Sequence, residues 1–252
     1  MPKKNEPKIY CILSGKGGVG KSAVAAFLAL QLKKNLKVLF IDFDICGPSA
    51  AIYFNVTGKI TKHKNGFKPL TLDSNLDILS FGNILGENDV VIWRGAKKQI
   101  FLELMFNTSL FKDEDGNFIY DAILIDTPPG ISEEHGFLVG KKNVHSLIVT
   151  TGQNLALNCC QSTIEFCLYH NLNIIGVIQN MSYYVCECCH EKIYLYGKNG
   201  GKLLAEEYGI EYLGEIPMES QMLNAIEQGQ FPSYCEATGI FNDIQKKISH
   251  LL

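Results

Sequence analysis

The run Gly15-Lys16-Gly17-Gly18-Val19-Gly20-Lys21-Ser22 has the residue types and spacing of a phosphate cradle. It satisfies G-x-x-x-x-G-K-[ST] at every position and follows the apolar run 9–13, the strand-then-helix setting the pattern requires. The glycines remove Cβ atoms, so backbone N–H groups can turn toward phosphate oxygens. The positive end of the helix that follows points at the same anion. Lys21 then reaches the β- and γ-phosphates, and Ser22 supplies a hydroxyl to Mg²⁺. A merely structural turn has little need of Lys-Ser after its last glycine. The pattern implies a nucleoside triphosphate site. A second group of reactive residues is Cys186-Glu187-Cys188-Cys189-His190. Cys186 and Cys189 have C-x-x-C spacing, which serves a redox pair, half a zinc site or half an iron–sulfur site. One pair cannot complete four ligands, whereas a two-fold dimer contributes it twice. Four thiolates suit [4Fe–4S] and tetrahedral zinc alike, and His190 could join a zinc within one chain. Cys188 is a spare thiol beside the pair.

These groups need a scaffold that holds loop residues at strand ends. Short apolar runs at 9–13, 38–41, 76–79, 122–125, 147–149 and 174–178 alternate with helical periodicity at 22–33, 96–107, 155–170 and 201–208. This predicts an α/β fold, a doubly wound and mostly parallel sheet covered on both faces. Ligands of such sheets bind at the carboxyl ends of the strands. No repeat or low-complexity linker divides the 252 residues, so residues 1–252 read as a single domain. Hydrophobic residues make up 46%, enough for a large core. The net charge of −3 gives no broad nucleic-acid or anionic-membrane footprint. No apolar run reaches the roughly 18 residues of a membrane span. The first seven residues lack a secretory or transit signature, and a cytoplasmic location is expected. Nine cysteines in that setting argue for metal or thiolate chemistry over disulfides. Cys11, Cys46, Cys159, Cys160, Cys167 and Cys235 read as small buried hydrophobes. The basic stretch 56–69 reads as a solvated surface loop. The amphipathic tail 239–252 has two lysines and is expected to dock on the domain.

The extra lysine at position 16 makes the loop resemble the deviant Walker A motif of the MinD/ParA/Mrp class of P-loop ATPases, in which that lysine reaches a partner's nucleotide across a dimer interface. Further elements extend the likeness. Asp42-Phe43-Asp44, followed by Gly47-Pro48-Ser49, matches the class's switch I. It implies that Asp44 orients the attacking water and Asp42 supports the metal site and the lysines. The close carboxylates need cations between them, and Lys21 and Mg²⁺ are expected there. Asp126-Thr127-Pro128-Pro129-Gly130 resembles the Walker B and switch II segment. By that resemblance Asp126 holds a Mg²⁺-bound water and the Gly130 N–H approaches the γ-phosphate. Ser132 opens the next helix as its cap, with His135 a family marker and not a catalyst. Asn180-Met181-Ser182 and Gly214-Glu215-Ile216-Pro217-Met218 resemble adenine-side elements, which brings in Asn180 and Pro217; a turn role for Asn180 stays open. Trp93-Arg94-Gly95 is another marker.

With the C-x-x-C included, the chain resembles the Mrp/NBP (ApbC-like) family of iron–sulfur scaffold ATPases from residue 9 to about 218, and most resembles that family's short cytosolic subunits. The resemblance implies slow ATP hydrolysis, with Lys16, Lys21, Asp44 and Asp126 as the catalytic set. It implies ATP, Mg²⁺ and a [4Fe–4S] cluster held by Cys186 and Cys189 with the partner's pair. The expected partners are a second copy or the longer cytosolic NBP-type paralogue, and apo iron–sulfur clients, with no nucleic acid or membrane. The rival is a MinD/ParA-like dimerising ATPase acting on membrane or DNA, with a structural zinc at the C-x-x-C.

Overall fold

A strand covered on both faces can be apolar over its whole run, as Val38 to Ile41 and Ala122 to Ile125 of this chain are. The computed structural model describes residues 6–63, 66–84, 95–106 and 111–251. The first half contains β1 (Lys8–Leu13), α1 (Lys21–Leu32), β2 (Val38–Asp42), α2 (Ala50–Phe54), β3 (Thr61–His63), β4 (Gly66–Lys68), β5 (Leu70–Asp73), β6 (Leu76–Ser80) and α3 (Ala96–Met105). Then come β7 (Ala122–Asp126), α4 (Glu133–Leu138), β8 (Val144–Thr150), α5 (Asn154–Tyr169) and β9 (Asn173–Gln179). The chain closes with β10 (Tyr184–Val185), β11 (Lys192–Ile193), α6 (Gly200–Glu207), β12 (Tyr212–Glu215), α7 (Ser220–Glu227), α8 (Phe231–Ala237) and α9 (Asn242–Leu251).

The described residues form an eight-stranded sheet in the order β12-β9-β8-β1-β7-β2-β6-β5, parallel throughout except where β5 runs against β6. Alternation along β1 divides the core. Tyr10 and Ile12 pack with α1, α2, α8 and α9, while Ile9, Cys11 and Leu13 pack with α3, α4, α5 and α6. The expected doubly wound architecture is therefore present. Parallel register decides the chemistry at the carboxyl ends, because it sets Ile12 and Asp42 each opposite Asp126.

The tail docks as its pattern implied. Ile244 and Ile248 are buried, and Phe241 stacks on Phe27 of α1 with ring centroids 3.7 Å apart. Lys247 Nζ donates to the Tyr212 carbonyl of edge strand β12 at 2.7 Å. No described helix is long and apolar enough to cross a membrane.

Two expectations are corrected. Within the basic stretch 56–69, β3 pairs with β4 as an antiparallel hairpin, and Ile60 and Phe67 enter the core. The lysines mask this in the sequence, because they share the segment with its two apolar anchors. Among the cysteines taken as buried, Cys11, Cys160, Cys167 and Cys235 are, but Cys46 is exposed and Cys159 half-buried. Burial pushes the Cys160 thiol up to about 12 and Cys167 up to about 11. Trp93 and Arg94 lie outside the described residues.

The Phe27–Phe241 stack makes α9 part of the core. Phe241→Ala should destabilise the chain by about 3–5 kcal/mol, read as a lower urea midpoint with unchanged cooperativity.

Candidate functional site

The loop from β1 to α1 encloses a cavity of about 210 Å³ with residues from both switch segments: Ser14, Lys16 to Ser22, Asp44, Tyr53 and Pro129. α1 starts at Lys21 without a side-chain cap, so its first N–H groups face the cavity. Gly20 is required twice over. Its φ of 78° is left-handed, and a Cβ there would sit 2.1 Å from Asn180 Nδ2.

Lys21 is buried, and its ammonium pairs with Asp126 Oδ1 while lying 3.5 Å from Ser22 Oγ. This corrects the expectation that Lys21 lies between Asp42 and Asp44. Asp42, fully buried, instead accepts from the N–H groups of Ser49, Ala50 and Asp44 at 2.9, 3.1 and 3.1 Å, and from the Ser80 hydroxyl at 3.1 Å. It holds the turn that starts α2. Burial, with the Asp126 charge next, pushes its pKa up to about 7 against those three N–H bonds. Asp44 reaches the cavity, and its Oδ1 accepts from the Gly47 and Cys46 N–H groups at 2.9 and 3.2 Å. Lys16 lines the cavity and makes no ion pair with another described residue. Asp126 Oδ2 and Ser14 Oγ are buried without a partner, a donor set suited to a hydrated divalent cation beside a phosphate. Tyr53 is a cavity residue that sequence reasoning missed, since a tyrosine in a short helix carries no motif.

Switch II is docked on the loop. The Gly130 N–H donates to the Ser14 carbonyl at 2.8 Å. Thr127 Oγ1 donates to the Ile12 carbonyl at 2.7 Å. Ser132 caps α4 as expected: its N–H donates to His135 Nδ1 at 3.2 Å and its hydroxyl to Glu134 Oε2 at 2.6 Å. Lys98 of α3 pairs with the buried Glu134 at 2.7 Å. Asn180 Nδ2 donates to the Val19 carbonyl at 2.9 Å, and its Oδ1 is buried without a partner. Pro217 is buried after β12, and the Ile216 N–H before it donates to the Gln179 carbonyl.

The cysteines lie apart, at the tip of the β10–β11 hairpin. The Cys186 N–H donates to the Glu191 carbonyl at 3.0 Å and the His190 N–H to the Cys186 carbonyl at 2.9 Å. Cys188 and Cys189 are exposed and Cys186 is half-buried. The backbone N–H groups of Cys189 and Cys188 hold the Cys186 thiol down to about 7. Among the described residues no three His, Cys, Asp or Glu side chains are grouped to hold a metal ion.

The parallel sheet, the glycine loop at its centre and the two switch segments define a P-loop nucleotide-binding protein. The family model described as ParA, NUBPL iron-transfer P-loop NTPase, matches residues 5–250, and the chain belongs to that family. It is 36% identical over 253 residues to the cytosolic Fe-S cluster assembly factor NUBP2 homolog of Monosiga brevicollis, covering 97% of this chain and 87% of that one. It is 37% identical to the cytosolic Fe-S cluster assembly factor NBP35 of Kluyveromyces lactis, covering 93% and 74% of the two chains. The nucleotide-binding protein of Archaeoglobus fulgidus, solved with ADP, superposes with a TM-score of 0.68 at 28% identity, covering 90% and 88%.

The His135 half of the α4 capping box works only while His135 Nδ1 is unprotonated. Burial, above all, lowers its pKa to about 4, with Lys21 and Lys98 adding to the effect and Glu134 opposing it. A base depressed in the folded state has its full stability above about 6.5 and loses it as the pH falls toward about 4. His135→Gln keeps a capping acceptor and should remove a loss on the order of 3 kcal/mol between pH 6.5 and 4. Urea denaturation of both chains across that range checks it.

Proposed function

We propose that this chain is a cytosolic ATP-dependent scaffold that assembles [4Fe–4S] clusters and hands them to apo-proteins. One observation carries the reading: a cysteine pair, Cys186 half-buried and Cys189 exposed, stands at the tip of a hairpin rooted beside the nucleotide loop. Family membership and the cytosolic Fe-S assembly relatives support it. The cluster is cargo, and Cys186 and Cys189 supply half its ligands. A second copy, or the longer NBP-type paralogue, supplies the other half across a two-fold. Cluster ligands divided across a separable interface suit release.

ATP binds along Gly15 to Ser22, with Lys21 moving from Asp126 to the β- and γ-phosphates. Ser22 and Asp126 would hold Mg²⁺, which would offset the phosphate charge. Asn180 Oδ1 accepts from the adenine amine, and Pro217 lies on the base side. Asp44 orients the attacking water, Asp42 fixes the turn that carries Asp44, and the partner's copy of Lys16 neutralises the charge that develops on the phosphate. The Gly130 N–H reaches the γ-phosphate only by leaving Ser14, so hydrolysis is coupled to movement of switch II.

Lys21→Ala should abolish ATP binding or turnover, because it removes the buried lysine that starts α1 at the floor of the phosphate cavity. Isothermal titration and phosphate release read this directly, and wild-type values in the variant would overturn the nucleotide site.

Anaerobic reconstitution tests the cluster. The wild type should bind about four irons per dimer, as expected for one [4Fe–4S]. Cys186→Ala and Cys189→Ala should each lose them, and Cys188→Ala should keep them. Full iron in both losing variants, or one zinc per chain, would leave a nucleotide-binding protein with a structural metal.

A further inference from the structure

The geometry points to Gln179 as a positioning residue that joins the nucleotide loop to the cysteine hairpin; the inference rests on the function proposed above. Gln179 ends β9 and is fully buried. The hairpin leaves the sheet just after it and returns at α6, and both ends fasten to this one residue. On the outgoing side, the Ser182 hydroxyl donates to the Gln179 carbonyl at 2.9 Å. On the returning side, the Gly201 N–H donates to Gln179 Oε1 at 2.7 Å. The next residue, Asn180, holds the nucleotide loop through the Val19 carbonyl. Two consecutive amides at one strand end therefore hold the phosphate loop and the root of the hairpin.

The joint has no slack. A Cβ on Gly20 would meet Asn180 Nδ2, and one on Gly201 would lie 3.1 Å from Gln179 Cβ. A close-packed contact passes on a displacement instead of absorbing it. Beyond the root the arms of the hairpin are held to the body by the Met218 N–H on the Tyr183 carbonyl at 2.7 Å, by Lys192 with Glu215 at 3.5 Å, and by close packing of the Tyr196 and Gly197 backbone on Gly152, while the bonds of the cysteine tip, Cys186 with Glu191 and with His190, stay within the hairpin. A small rotation at Gln179 therefore swings Cys186 and Cys189 as a unit.

Both amides are also only half used. Gln179 Nε2 and Asn180 Oδ1 are buried without partners. Unmet buried polar groups are costly, which favours a second arrangement in which they are satisfied. Nucleotide supplies a donor for Asn180 Oδ1, and the shift of the strand end re-bonds Gln179. The nucleotide state then sets the orientation of the cysteines within one subunit, independently of the switch segments.

The test uses the full chain without a cluster, with and without adenylyl-imidodiphosphate and Mg²⁺. Iodoacetamide labelling of Cys186 and Cys189 is followed by peptide mass spectrometry. In the wild type nucleotide should change the labelling rate about fivefold or more. Gln179→Leu should keep nucleotide affinity and the nucleotide-free rate but lose the nucleotide effect. Gln179→Glu, which keeps the acceptor for Gly201 but has no donor in place of Nε2, should keep nucleotide affinity and lose the nucleotide effect. An unchanged effect in Gln179→Leu overturns the proposal, as does a wild type that shows none. Loss of affinity with no rescue by Gln179→Glu also overturns it, because the role is then structural. Should the leucine chain not fold, hydrogen exchange at the wild-type Gly201 amide decides: protection must change with nucleotide. Labelling needs no cluster, so failure here is separate from failure of iron binding in the cysteine variants.

Discussion

Two buried carboxylates and a single ammonium meet at the carboxyl end of the sheet, and the site is built around that imbalance. Parallel register places Asp42 opposite Asp126, and both are fully buried. Two buried like charges at neighbouring positions are costly unless cations or hydrogen-bond donors offset them. Lys21 serves Asp126, while backbone N–H groups and Ser80 serve Asp42. The position of each switch segment follows. The turn after β2 wraps Asp42 because its carboxylate needs donors, and the loop lysine lies inward because Asp126 needs a cation. In the function proposed above, a phosphate that draws Lys21 away would leave Asp126 free for a metal.

This arrangement relies on the two helical layers being rigid. The apolar strands fix the register, and the helices on both faces leave the strand ends as the accessible chemistry. Switch II bridges the nucleotide loop and α3 through Ser132, Glu134 and Lys98, which are tied by short bonds. Rigid strands with a small number of exchangeable bonds at their tips suit a protein that must alternate between two states.

Much of this was legible in the sequence. The phosphate loop is read directly because its residues are consecutive and each has a local reason. The sheet class followed from apolar runs that end in aspartates. The partner of Lys21 was not legible, because the choice between Asp42 and Asp126 depends on the register of β1, β2 and β7, which are far apart in sequence. The Gly130–Ser14 bond was hidden for the same reason, as a non-local pairing without a residue signature, whereas the local pairing of β3 with β4 was hidden by the lysines that share its short segment. Gln179 escaped because a glutamine at a strand end has no motif of its own. It is distinguished only by what the fold brings to its two faces.

The docking of α9 also limits how copies of this chain can meet. A free sheet edge offers unpaired backbone groups to any passing strand and invites pairing without end. Here the outer strand β12 lies under α9, and Lys247 occupies the Tyr212 carbonyl. The opposite edge is β5, four residues long, antiparallel, and tied to α1 through Asp73 and Lys33. With one border roofed and the other short, lateral growth of the sheet into fibres is blocked.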